Sequence, residues 1–141
     1  MAAIITTPRL MAVGGGALAE LPSMLARLGL TRPLIVTDPF LVSSGHLERA
    51  TGYLDRAGVP WKVFSDTVPD PTTAVVEAGA LRLAEGDFDS LVAIGGGSSI
   101  DTAKGMSVLF ANGGKMESQN SDHPRHQCAE LPKIAYLSLH L

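Results

Sequence analysis

Apolar residues come along this chain in short unbroken runs, separated by segments in which they recur every three or four positions. "PLIVTD", Pro33 to Asp38, is one such run and closes on polar residues; "SLVAI", residues 90–94, is another. "WKVFS" at 61–65 and "KIAYLSL" at 133–139 have the same character, and "RLMAVGGG" at 9–16 reads as a short strand entering a glycine turn. Between the runs, "ALAELPSMLARLGL" sets Leu18, Leu21, Leu25 and Leu28 at helical spacing. Pro22 then belongs in the first helical turn, and Gly29 is a C-cap. "GHLERATGYLDRAG" predicts a helix stopped by Gly58, and "PDPTTAVVEAGALRLAEGDFD" one that is entered through prolines, capped by Asp70 or Thr72, and left at Gly86. A last helix runs from about Ser99 to Ala111.

Strands that are apolar on both faces and alternate with helices indicate an α/β fold: a Rossmann-like parallel sheet flanked by helices. Sheets of this kind bind ligands at the carboxyl ends of their strands. Residues 113–130, "GGKMESQNSDHPRHQCAE", turn polar and irregular. The organisation expected is therefore an α/β domain over 1–112, a polar loop over 113–130 and a short last strand within 131–141.

Composition narrows the function classes. A chain of 141 residues, 45% hydrophobic and 18% charged, fits one domain with a real core. A net charge of −3 without a basic cluster speaks against nucleic acid as a partner. The single cysteine, Cys128, rules out an intrachain disulfide and fits a reducing compartment. The first twenty residues lack the basic and apolar regions of a secretory signal, and no apolar run approaches the roughly 20 residues that span a bilayer. The expectation is a cytoplasmic protein without membrane association.

The run "LVAIGGGSSIDTAKGMSVL" carries the strongest chemical signal: a buried strand, three glycines and a helix start. Glycines permit positive φ and close backbone approach. Ser98 is a candidate N-cap with Asp101 three residues on, in the manner of a capping box. The helix end that follows offers free N–H groups and a positive dipole end to a phosphate. The spacing is neither GxGxxG nor a P-loop, so a purely geometric turn stays open on pattern alone. Lys104 reads as a surface partner of Asp101. Asp38, at the end of its strand, is either a ribose-binding carboxylate or a cap before Pro39. His123, His126 and Cys128 have zinc-ligand chemistry but no distant second pair, and no metal site is expected from them. Ser43 and Ser44 have no base placed by spacing, and His46 and His140 are isolated.

"IGGGSSIDTAK" resembles the GGGSxxDxxK signature of the iron-containing (group III) alcohol dehydrogenases. The likeness is collinear through "VGGGALAELPSMLARLG", "LIVTDPFLVSSGHL" and "PDPTTAVVEAG", covering residues from about 10 to 112. It implies a dinucleotide-binding domain over 1–112 in which Gly96, Gly97, Ser98 and Ser99 hold the pyrophosphate of NAD. It further implies that Asp38 binds the adenosine ribose and favours NAD over NADP, with Asp101 beside the cofactor. Asp70 stands where the family's PNPT motif has a cofactor-contacting asparagine, and a carboxylate accepts hydrogen bonds without donating any.

The family's second half is an all-helical domain that carries the metal on one aspartate and three histidines, and this sequence does not show it. The resemblance thus implies iron and a small alcohol substrate only for a full-length member, and no catalytic or metal residue in this chain, which alone should not oxidise alcohols. "LPKIAYLSLHL" begins like the family's next strand, but Leu137 and Leu139 replace an expected proline and threonine. An interrupted reading of the gene is the expectation that follows. Two alternatives stand beside it: a non-catalytic nucleotide-binding fragment, and the cofactor domain of a glycerol dehydrogenase or dehydroquinate synthase. "PDPT" and the "TAK" continuation favour the alcohol dehydrogenases. A cofactor domain without its partner domain exposes apolar surface, so self-association, including a homo-oligomer, is expected.

Overall fold

A computed structural model describes residues 12, 14–112 and 133–137 of the chain. Four strands form one sheet: β1 (Pro33–Val36), β2 (Lys62–Phe64), β3 (Ser90–Ile94) and β4 (Lys133–Leu137). Their order is β2-β1-β3-β4, and every neighbouring pair is parallel. The expected parallel α/β arrangement is what the chain adopts. Because β2 lies on one side of β1 and β3 on the other, the order reverses between β1 and β3. At such a switch point the two following loops part and leave a crevice.

The helices are α1 (Leu21–Arg27), α2 (Pro39–Ser43), α3 (His46–Arg56), α4 (Thr73–Glu85) and α5 (Gly97–Asn112). The period-two alternation of the strands divides the core into two layers. Ile35, Val92 and Ile94 face one side, where Leu21 and Leu25 of α1 and Leu47, Ala50 and Leu54 of α3 pack on them. Leu34, Val36, Leu91 and Ala93 face the other, under Leu83 of α4 and Ala103 and Met106 of α5. All of these strand residues are fully buried. This is why β1 and β3 read as unbroken apolar runs.

Two glycines let α4 and α5 approach closely. A Cβ on Gly79 would stand 2.6 Å from Met106 Sδ, and one on Gly105 would stand 2.7 Å from Val76 Cγ1. The pair holds α5 closely against α4.

Several boundaries differ from the sequence expectation. Residues 17–30 form a 3₁₀ turn over Ala17–Glu20 before α1, with Pro22 at the start of the α-helix as anticipated. The turn at Gly14–Gly16 is present, with Gly14 and Gly16 at φ 129° and 85°; the strand expected before it lies outside the described residues. "PLIVTD" is strand only to Val36, because Asp38 and Pro39 begin α2, a helix too short to show a period. The polar segment 113–130 lies outside the described residues. No described helix is long and apolar enough to cross a membrane.

Candidate nucleotide site

Among the described residues, three loops leave the sheet at its carboxyl edge: 37–38 after β1, 65–72 after β2 and 95–96 after β3. They are tied to one another. The Thr37 N–H donates to the Phe64 carbonyl (3.0 Å), and the buried Thr67 hydroxyl donates to the Thr37 carbonyl (2.8 Å). The third loop meets the first at Gly95. This glycine is buried at φ 138°, and a Cβ on it would lie 2.7 Å from Ser99 Oγ, 3.3 Å from Asp38 Oδ2 and 3.3 Å from Leu41 Cδ1. A side chain at this position is excluded twice, by φ and by space. The first glycine of the turn therefore serves packing.

Gly96 and Gly97 have the opposite character. Both are exposed, and a Cβ on either would meet nothing within 4 Å. No side chain of the protein fills the space beside them.

The start of α5 corrects the sequence reading. The helix begins at Gly97, two residues before the expected Ser99, so Ser98 lies inside its first turn and is not the N-cap. Gly96 takes the position before the helix, its carbonyl accepting from the Ile100 N–H (3.3 Å). Asp101 does not close a capping box; it is exposed and pairs with Lys104 at 3.4 Å. Gly96, before this 16-residue helix, has no side chain with which to cap its amino end. The first N–H groups of α5 and its dipole are directed at the crevice, an arrangement that stabilises an anion.

Of the two roles left open for Asp38 by sequence, the structure shows the cap. Asp38 is the N-cap of α2, with Oδ1 accepting from the Leu41 N–H at 2.9 Å. Its other oxygen, Oδ2, faces the Gly95 turn. Capping uses one oxygen and fixes the side chain, which leaves the second to accept hydroxyl donors. A carboxylate repels a phosphate at that place, so the crevice has a cationic side at α5 and an anionic side at Asp38.

The remaining candidates are less closely joined. Asp70 is exposed on the loop after β2, at φ 52°, the one non-glycine residue with positive φ among those described. Asparagine and aspartate tolerate that conformation better than other side chains, which is a backbone reason for either residue at this place. The cap of α4 is Thr72, whose hydroxyl accepts from the Val75 N–H at 3.4 Å, and not Asp70. No hydrogen bond joins Asp70 or Asp101 to Asp38 or the glycine turn. Ser99 is fully buried, main chain included. The Ser43 and Ser44 hydroxyls are spent on the Phe40 and Leu41 carbonyls.

No cluster of three or more metal-ligating side chains occurs among the described residues, and His123, His126, Cys128 and His140 lie outside them. Half-buried His46 opens α3, its ring 6.5 Å from that of Phe40.

One carboxylate with a strong local role was missed by sequence reasoning. Asp89, before β3, accepts from the Thr31 N–H (2.7 Å), the Thr31 hydroxyl (3.0 Å), the Arg32 N–H (3.0 Å) and the Ser90 hydroxyl (2.9 Å). Burial raises its pKa, but these four donors outweigh burial and hold it below the ordinary carboxylate value. It locks the amino ends of β1 and β3 together, opposite the candidate site. The Thr31 and Arg32 donors come from 58 and 57 residues away, a distance over which no local pattern signals a pairing.

Comparison with known proteins bears on this geometry. Residues 8–140 match the family model described as iron-containing alcohol dehydrogenase. The chain is 38% identical to NAD-dependent methanol dehydrogenase of Bacillus methanolicus over 132 residues, covering 94% of this chain and 34% of that protein. It is 42% identical to 4-hydroxybutyrate dehydrogenase of Cupriavidus necator over 101 residues, 72% of this chain and 26% of the relative. Among solved structures, an alcohol dehydrogenase from Oenococcus oeni aligns with a TM-score of 0.77 at 26% identity, over 93% of this chain and 34% of its own. A sulfoacetaldehyde reductase from Bifidobacterium kashiwanohense, in complex with NAD+, aligns at 0.73 and 26% identity, over 89% of this chain and 32% of its own. The chain thus spans about a third or less of the length of these relatives.

Proposed function

The chain belongs to the iron-containing alcohol dehydrogenase family, and we propose that its α/β unit is the NAD-binding part of an enzyme that exchanges hydride between a small alcohol and the nicotinamide. The observation that carries this reading is the crevice between β1 and β3. There an uncapped helix end, two open glycines and a fixed carboxylate stand together, and the residues fit a dinucleotide. The pyrophosphate lies over Gly96 and Gly97 and takes hydrogen bonds from the first N–H groups of α5, including that of Ser98. Asp38 Oδ2 accepts from the adenosine ribose hydroxyls and disfavours a 2′-phosphate, which selects NAD over NADP. Asp70 and Asp101 flank the cofactor from the loop after β2 and from the second turn of α5.

The nicotinamide supplies hydride exchange, and a metal held by other parts of a full-length enzyme supplies Lewis-acid polarisation of the alcohol oxygen. What the described residues do is bind and orient the cofactor. The dinucleotide-binding domain covers residues 1–112, and the protein acts in the cytoplasm.

Calorimetric titration of the 141-residue chain tests the reading. NAD binds saturably, and inorganic pyrophosphate and AMP each compete with it. Absence of saturable heat with a chain that melts cooperatively contradicts it.

A further inference from the structure

The buried face of the crevice contains a group that the cofactor reading leaves unused. The Ser99 hydroxyl is fully enclosed and has no hydrogen-bond partner among the described residues. A serine or threonine inside a helix ordinarily donates to the carbonyl four residues back. Thr102 does so, to Ser98 at 2.7 Å. Ser99 does not, because the residue four back is Gly95, which precedes the helix at φ 138°. An unmade hydrogen bond in a buried place is a standing cost, and a partner supplied on binding relieves it.

Asp38 is a candidate partner. Ser99 Oγ and Asp38 Oδ2 both close on the space that a Gly95 side chain would fill, at 2.7 Å and 3.3 Å from the Cβ position. Asp38 is held through Oδ1 by the Leu41 N–H, so Oδ2 is the oxygen open both to the crevice and to the buried hydroxyl. The lack of a side chain at Gly95 is what lets the two groups converge.

We propose that Ser99 is a positioning residue for cofactor recognition: its hydroxyl donates to the Oδ2 side of Asp38 from the buried face when the ribose engages from the solvent face. A carboxylate held by the Leu41 N–H on one oxygen and by Ser99 on the other keeps its plane fixed for the two ribose hydroxyls. The inference rests on the NAD-binding reading above and adds a residue that no ligand touches through its side chain.

Ser99→Ala tests it, by calorimetry with NAD and, separately, with inorganic pyrophosphate, and by thermal melting. The expected result is NAD binding weakened about tenfold, the typical worth of a hydrogen bond to a charged group. Pyrophosphate affinity stays unchanged, because the helix end is untouched, and the melting temperature is equal or higher, because an unpaired hydroxyl has gone. In the Asp38→Ala background the same substitution has no further effect. If Ser99→Ala melts early, Ser99→Cys keeps the volume with a weak donor and is read by the same outcomes. Wild-type NAD affinity in the variant overturns the inference alone, as does an equal loss for NAD and pyrophosphate, which would mark a disturbed turn. A wild-type chain that binds no NAD overturns both this inference and the reading beneath it.

Discussion

The two edges of the sheet use the same residue types to opposite ends. At the amino edge, Asp89 gathers two backbone N–H groups and two hydroxyls, and Arg32 adds an ion pair to Asp87 at 3.2 Å. The polar groups there are satisfied within the chain. At the carboxyl edge, Asp38 spends one oxygen on a cap, α5 begins without a capping side chain, and the hydroxyls of Thr37 and Ser99 are buried unpaired. An edge that closes on itself serves stability; an edge that keeps donors and acceptors open, in a fold that otherwise satisfies them, fits the proposed binding of a cofactor from outside the chain.

Substitutions that exchange the properties of the two edges break or sharpen this contrast. The largest effect belongs to Gly95→Val. It forces a side chain onto Ser99 Oγ at φ 138° and costs about 3 kcal/mol or more in urea unfolding, with NAD binding lost. Gly96→Val, one residue on, places its Cβ in open space and keeps the unfolding midpoint near wild type while weakening NAD. If the two variants lose stability equally, the division between a packing glycine and a ligand-facing glycine is wrong.

Next is Asp89→Asn, which weakens the opposite edge by about 2 kcal/mol and leaves the NAD dissociation constant unchanged. Its pH dependence has a definite sign. The folded-state pKa lies below the ordinary 3.8, so the stabilisation is fully present above that value and is lost as pH falls through the lower, folded one. Acid unfolding of Asp89→Asn, compared with wild type, therefore lacks that part of the decline below pH 3.8; identical acid slopes would show that Asp89 is not the clamp. The smallest effect is at Asp70, where φ is 52°. Asp70→Ala costs about 1 kcal/mol and Asp70→Asn is near neutral in the same unfolding assay.

Much of this arrangement is legible in the sequence, and what is not has identifiable physical causes. β1 and β3 could be read because both faces are buried and the apolar runs are unbroken. Gly29, Gly58 and Pro22 could be read, and the cap of α4 narrowed to Asp70 or Thr72, because cap and turn chemistry is local. The start of α5 was misplaced because Ser98 is a good capping residue, and only the packing of α5 on the sheet decides that the helix begins at Gly97. α2 has five residues, too few for periodicity to register. The burial of Ser99 beneath Gly95, and the reach of Asp89 to Thr31, are long-range events without a local signature. The resemblance carried the choice of ligand; spacing alone left the glycine turn open between a phosphate cradle and simple geometry.

The central claim is that phosphate and ribose are recognised by separate parts of the carboxyl edge, the helix end and Asp38. It is tested most directly by the ratio of NADP to NAD dissociation constants for the wild-type chain and for Asp38→Gly. The expected ratio is well above ten in the wild type, because a 2′-phosphate meets the Asp38 carboxylate, and near one in the variant, with pyrophosphate affinity the same in both. An unchanged ratio would contradict it.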